Sequence, residues 1–258
     1  MQRKLEMRRH EITDEQFRKI ESVLPGRKGH VGVTAKDNKN FINAVLWIFK
    51  TGAPWRDLPK RYGDWKNVHR RFSRWAKTGI FDNIFRILSV DADMEFLIMD
   101  GTIIKAHQHA AGAKKKNPSR DEGLGRSRGG FTSKIHCVVD ALGNPVDFIL
   151  TGGEVHDSLC AEDLMNGKDA DFVIADKAYD SNKILDKIAQ MNAIAVIPPK
   201  SNRKEQREYD KHYYKERNLV ERFFCRLKQF RGIATRYCKR GQYFLEAVKL
   251  ASSILLMC

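Results

Sequence analysis

Long apolar runs are missing from this 258-residue chain. Runs such as Ala193 to Ile197 and Ile254 to Cys258 are core-sized and fall far short of the roughly 20 residues of a membrane span. Met1 to His10 is charged and has no apolar signal core. Cysteine is scarce: Cys137, Cys160, Cys225, Cys238 and Cys258, with no C-x-x-C spacing. An odd count without that spacing argues against a disulfide framework and a structural zinc site. A reducing cytoplasm is the expected compartment. Gly-x-x-x-x-Gly-Lys-Ser/Thr is absent, which excludes a P-loop. His-Glu-x-x-His is absent too, so His107, His109, His136 and His156 read as surface or nucleic-acid contacts, with His136 and His156 placed to line a cleft. No repeat or low-complexity run occurs.

Acids are in short supply relative to bases. Lys and Arg number 47 against 32 Asp and Glu, a formal charge of +15. Such an excess suits a nucleic acid or an anionic membrane, because each neutralised phosphate releases counterions. A basic protein without a polyanionic partner is the blander alternative. The excess is concentrated. Residues 105–134 hold eight Lys and Arg against two acids, and residues 200–240 hold fourteen against five. A hydrophobic content of 42% is enough for a core, and the length fits one large domain or a catalytic domain with a smaller one attached.

Residues 1–92 read as a small all-α, helix-turn-helix-like domain. Thr13 and Gln16 form a capping box ahead of Phe17, Ile20 and Leu24, and Pro25-Gly26 breaks that helix. Phe41, Ile42, Val45, Leu46 and Phe49 recur at helical spacing, with Gly52 at the C-cap. After a tight segment at 52–59, Asp64 caps a helix from Trp65 to Lys77. That helix is basic on one side (Lys66, Arg70, Arg71, Arg74, Lys77) and aromatic on the other (Trp65, Phe72, Trp75). A basic second helix after a turn is one way to read DNA; a helical bundle with solvated charges is the competing reading.

Residues 93–258 change character to an α/β pattern. Phe96 to Met99 is an apolar strand ending in Asp100. Phe131–Val139 and Val146–Thr151 flank a turn at 141–145, Phe172–Ala175 ends in Asp176, and Ala193–Ile197 is stopped by Pro198-Pro199. Short helices are expected at 158–166 and after Ser181, and a long one from Tyr213 to Phe230. The order β-β-β-α-β-α-β-α implies a mixed five-stranded sheet with helices on its faces. Between Lys105 and Gly130 a basic, Gly-containing stretch with Lys114, Lys115, Lys116, Arg126 and Arg128 reads as a loop that orders on DNA, or as a solvated linker.

Two Asp residues at strand ends sit where ligands gather in open α/β sheets, although an Asp there is as often a cap. Asp100 and Asp176 are 76 residues apart, so only the fold can unite them. On the long helix, Tyr214, Arg217, Glu221 and Lys228 fall on one stripe, away from the apolar Leu219, Val220, Phe223, Phe224, Leu227 and Phe230; a solvated salt-bridge face is the plainer reading. Three carboxylates suit two Mg²⁺ ions about 4 Å apart, one serving each oxygen of a phosphodiester exchange. Asp140 and Asp180 read as structural, and Asp157 is the substitute should Asp176 fail.

The spacing Tyr214-x-x-Arg217-x-x-x-Glu221-x-x-x-x-x-x-Lys228 resembles the signature of DDE transposases of bacterial insertion sequences. With Asp100-Gly-Thr102, Gly130 to His136, Ile174 to Asp180 and Gly52 to Pro59, nearly the whole chain looks like the insertion-sequence-five family. The resemblance implies a ribonuclease-H-like domain whose metal triad is Asp100, Asp176 and Glu221. It also implies that Tyr214, Arg217 and Lys228 assist DNA binding. Further DNA contacts are expected from Lys66, Arg70, Arg71, Arg74, Lys105, Lys114, Lys115, Lys116, Arg126 and Arg128. The implied cofactor is Mg²⁺, two ions per site, with Mn²⁺ as a substitute. The implied partners are double-stranded DNA, as element ends and target, and further copies of the chain on DNA; no membrane is involved, and the setting is the cytoplasmic nucleoid. Only 45 residues separate Asp176 from Glu221, too few for the large insertion of some relatives. Ala178 stands where Gly is more usual in Asp-Lys-Gly-Tyr, so an altered turn is expected after Asp176. The ending inside an apolar helix pattern allows for a trimmed C-terminus.

Two other readings stay open. One is a metal nuclease that does not join strands. The other is a DNA-binding regulator with a dead catalytic domain, against which the intact Asp100, Asp176 and Glu221 speak. Terminal inverted repeats flanking the gene would separate transposase from nuclease.

Overall fold

A computed structural model describes residues 9–27, 35, 37–112 and 122–258; Lys114, Lys115 and Lys116 lie outside them. The N-terminal helices form where the apolar spacing and caps place them. Helix α1 (Asp14–Glu21) starts on a full Thr13/Gln16 capping box. Helix α2 (Asn38–Thr51) ends at Gly52, whose φ of 71° is left-handed, a conformation that costs other residues about 1–2 kcal/mol. Asp64 caps helix α3 (Trp65–Lys77) through the Lys66 and Asn67 amides, and α4 (Ile80–Leu88) follows.

The sheet comprises β1 (Phe96–Ala106), β2 (Gly125–Ser127), β3 (Gly130–Val139), β4 (Pro145–Gly152), β5 (Phe172–Ile174), β6 (Ile194–Val196) and β7 (Thr235–Arg236). Its body runs β4-β3-β1-β5-β6. The β1–β3 and β3–β4 pairs are antiparallel, and β5 and β6 run parallel to β1. Three antiparallel strands followed by two parallel ones is the ribonuclease-H-like order. The five expected strands are joined by two short ones: β2 extends the edge beside β3, and β7 lies parallel to the far end of β1. Helices α5 (Ala161–Met165), α6 (Asn182–Gln190), α7 (Asn218–Lys228), α8 (Arg231–Ala234) and α9 (Gly241–Leu256) complete the chain.

Two expectations are corrected. β1 does not stop at Asp100 but runs on to Ala106, because β3 stays paired with it as far as Lys105 opposite Thr132. The expected helix from Tyr213 to Phe230 is a 3₁₀ turn over Tyr213–Arg217 followed by α7. The stripe survives the change, since positions three apart eclipse in a 3₁₀ turn.

Strand alternation divides the core between the two sheet faces. Phe96, Ile98, Ile135, Cys137 and Val139 face α7, α9 and the N-terminal helices. Leu97, Met99 and Val138 face α5 and α6. Helix α9 packs on α2, α3, α4, α7 and β4, so one apolar cluster runs from Ile12 through the sheet to Met257. Burying a side chain such as Ile42 or Leu227 there stabilises by about 1.5–3 kcal/mol.

Candidate active site

Strand register brings the two aspartates together. β1 and β5 pair in parallel up to Ile98 opposite Ile174, and each chain runs two residues further to a carboxylate. Neighbouring strands lie about 4.8 Å apart, so Asp100 and Asp176 emerge side by side. By alternation both follow an Ile that faces α7. Asp100 Oδ1 accepts the Gly101 amide at 2.8 Å. Asp176 caps the 3₁₀ turn Lys177–Tyr179 by accepting the Ala178 amide at 2.7 Å. Among the described non-glycine residues only His10 and Asn192 have positive φ. Ala178 therefore occupies ordinary backbone, and the turn needs no glycine there.

Helix α7 delivers the third carboxylate. Val220, Phe223, Phe224 and Leu227 are buried, and this anchors the helix over the sheet with Glu221 on its half-exposed flank. Arg217, on the preceding turn, joins the set. Its Nη1 lies 3.0 Å from Asp100 Oδ2, and its Nη2 is bonded to Glu221 Oε1. Tyr214 rests edge-on against Tyr209 at 5.5 Å, one 3₁₀ turn before Arg217. Lys228 is exposed two helical turns beyond Glu221.

Burial pushes the Asp100 carboxyl above its usual range, although the Gly101 amide and Arg217 pull it down; the nearby Asp176 and Asp157 add to the rise. A desolvated carboxylate beside other carboxylates is a strong attractor for a cation. The candidate donors are all oxygen, which suits a hard divalent ion. Yet among the described residues no three His, Cys, Asp or Glu side chains stand close enough to hold one. Arg217 lies between Asp100 and Glu221, so the donor type fits such an ion, while the trio comes together only if the guanidinium shifts.

The remaining acids part company. Asp157, the substitute, lies beyond Gly101 on the opposite face of β1. Asp140 binds the Leu142 and Asn144 amides of its hairpin turn and the Asp93 amide. Asp180 is buried against Arg203 at 2.9 Å and Arg207 at 3.4 Å.

The basic residues divide between surface and core. On α3, Lys66, Arg70 and Arg74 are exposed. Arg71 instead lies 4.2 Å over the Phe41 ring and 4.7 Å over Trp75, bonded to Asn38. Lys105 is exposed on β1, and Arg126 and Arg128 are exposed around the β2–β3 turn. Arg236, counted above in the basic 200–240 segment, is fully buried. Its guanidinium donates to Gly123 O and Ser133 Oγ, both at 2.7 Å, and to Cys238 O at 2.9 Å. A buried Arg with backbone acceptors has no single-sequence signature.

Known proteins bear on this arrangement. Residues 91–256 match the family model "Transposase DDE domain", and residues 12–85 match a transposase model of the IS4/5 family, a domain of unknown function. The chain is 38% identical over 127 residues to a transposase assigned to insertion sequence element IS6501 of Brucella ovis, covering 48% of this chain and 98% of that one. It is 42% identical over 110 residues to an uncharacterised protein, y4sN, of Sinorhizobium fredii, covering 42% and 87%. Among solved structures, a piggyBac transposase synaptic complex with hairpin DNA aligns over 76% of this chain and half of its own, at 15% identity and a TM-score of 0.42. A Mos1 transposase paired-end complex aligns over 86% and 79% at 11% identity and 0.27. The fold is given by the strand order β4-β3-β1-β5-β6. With the catalytic-domain model spanning most of its length, the chain belongs to the DDE transposases, metal-dependent enzymes that cut DNA strands and join them to new partners.

Proposed function

We propose that Asp100, Asp176 and Glu221 are the catalytic carboxylates of this transposase and hold two Mg²⁺ ions, with Mn²⁺ as a substitute. The observation that carries this is the register of β1 and β5, which sets Asp100 beside Asp176, with Arg217 linking Asp100 to Glu221. When bound, the ions would activate water for hydrolysis and stabilise the departing 3′ oxygen. The chain's own groups orient the substrate. Arg217, Tyr214 and Lys228 line the same flank of α7 and its leading turn, where a scissile phosphate would lie. On metal entry Arg217 would release its carboxylates and turn to phosphate, a fork-shaped donor suited to that group. After hydrolysis at the element end, the freed 3′-OH would attack target DNA in the same site.

Residues 1–92 form the part that recognises element ends, with residues 93–258 as the catalytic part. Lys66, Arg70 and Arg74 present their charges on the exposed side of α3, and Arg71 orders that helix against Phe41. Lys105, Arg126 and Arg128 extend a basic track from β1 to the β2–β3 turn, and Lys114, Lys115 and Lys116 belong to the segment between. Two element ends require two active sites, so the working form is a homo-oligomer on double-stranded DNA. No described helix is long and apolar enough to cross a membrane, and the nucleoid in the cytoplasm is the proposed setting.

The test is strand cleavage and joining on DNA carrying the element's own flanks, with Mg²⁺ or Mn²⁺, for native protein and Glu221→Gln. Cutting and joining by the native protein alone supports the site. Equal cutting by both removes Glu221 from it. Cutting without joining favours a nuclease, and binding without cutting favours a regulator.

A further inference from the structure

We infer that Asp157 is a positioning residue for Asp100, acting through Gly101 from the opposite face of the sheet. This rests on the reading of Asp100 as a metal-holding carboxylate. In the β1–β3 register Gly101 is paired with His136, and its missing side chain would point away from α7. A Cβ added there would collide with Asp157 Oδ1 and approach His136 Nδ1 to 3.4 Å. The Asp157 carboxylate therefore occupies the space that the glycine leaves open. From Gly101 itself the N–H reaches back to Asp100 Oδ1 at 2.8 Å. One peptide segment is thus held between two carboxylates, Asp157 packed behind it and Asp100 bonded to its amide.

Asp157 Oδ2 accepts a long hydrogen bond from Lys134 Nζ at 3.5 Å, while its Oδ1 faces cationic and polar neighbours without accepting a hydrogen bond. Lys134 Nζ lies 3.3 Å from its Oδ1, and the same ammonium donates to Val155 O at 2.7 Å. His136, fully buried, places Nδ1 3.2 Å from Asp157 Oδ1, with Nε2 2.8 Å from Thr151 Oγ1. Burial alone would raise the Asp157 carboxyl, but His136 and Lys134 outweigh it and hold the group below its usual range. The carboxylate therefore stays ionised at neutral pH. Apolar residues of similar volume often stabilise a protein interior as well as a buried ion cluster does. Two positions further along β3, Val138 fills the same layer with a plain aliphatic side chain. A Lys–His–Asp cluster set against the one glycine behind Asp100 is placed for that carboxylate. Outer groups that orient a metal's ligands have this character.

The experiment titrates Mn²⁺ alone into the full chain, without DNA, for the native protein, Asp157→Ala, Gly101→Ala, the double variant and Asp100→Asn. Unfolding midpoints are recorded alongside. Asp157→Ala and Gly101→Ala are each expected to weaken Mn²⁺ binding by roughly 10–100-fold. The double variant should bind better than Gly101→Ala, because the added methyl then has room, yet no better than Asp157→Ala, because the carboxylate behind Asp100 is still missing. Native affinity in Asp157→Ala, with binding abolished in Asp100→Asn, overturns the positioning role and leaves Asp100 as a ligand. Native affinity in Asp100→Asn overturns both. If Asp157→Ala does not fold, Gly101→Ala decides: weakened binding supports the role, and native affinity ends it.

Discussion

Arg217 and Asp100 are 117 positions apart in the chain and 3.0 Å apart in space. The guanidinium that closes that gap also holds Glu221, so a cation of the protein stands among the carboxylates assigned to the metal. Replacing Arg217 by Met removes the competitor. Mn²⁺ affinity in the absence of DNA should rise by about three- to tenfold, the weight of a partly exposed ion pair, while affinity for DNA falls. Unchanged metal affinity by calorimetry would show that the guanidinium does not compete for the site.

Glu246 of α9 is buried between that helix and α4, accepts the Asp82 amide at 3.2 Å, and lies 3.7 Å from Lys249. Burial pushes its carboxyl up to about 7 despite Lys249. The folded state therefore holds this proton more tightly than the unfolded chain does. Its contribution to stability is complete below the ordinary Glu range and is lost as pH rises through about 7. Glu246→Gln cannot ionise. In urea melts from pH 5 to 8, the native protein should lose ground to this variant as pH rises. A constant gap between the two would contradict the assignment.

Gly52 adopts φ 71°, and a Cβ there would lie 3.0 Å from Arg231 Cβ. Gly52→Ala should cost about 1–2 kcal/mol for the left-handed backbone, plus the crowding against Arg231. The urea midpoint should drop with little change in slope. A midpoint within error of the native value would mean that the turn relaxes freely.

Arg236 and Arg70 look alike in a charge count but sit in opposite places. Arg236→Gln strands several buried acceptors at about 1–3 kcal/mol each. It should therefore lower stability while leaving the salt dependence of DNA binding unchanged. Arg70→Ala should leave stability alone and lower the salt slope by about 1. Binding measured across a salt series, beside melting curves, separates the two; the reverse pattern would reject the placement of Arg70 at DNA.

The placement of the proposed carboxylates, two at strand ends and one on a helix flank, was legible because each leaves a marked sequence context. Asp176 follows four apolar residues, and Glu221 lies on a helix whose buried side repeats at a helical period. The length of β1 was not legible, since residues 101–106 are held by pairing with β3 and β7 rather than by their own apolarity. Helix α9 was glimpsed only at its end; what makes it central is packing against five other helices and β4. The cluster around Asp157 was hidden for a similar reason. His136, Asp157 and Gly101 meet through strand register and a turn, and no local pattern links them. Arg236 misled because a charge run is read as solvated until a fold closes around one member.

Helix α9 returns from the sheet to pack on α2, α3 and α4. The basic α3 and the carboxylates under α7 are therefore mounted on one continuous core. Under the proposed function that span would act as a fixed ruler: with α3 on a duplex, the cut would fall a set number of base pairs away. Changing that offset would require repacking the interior, whereas in a protein with a tethered reader a longer linker would suffice.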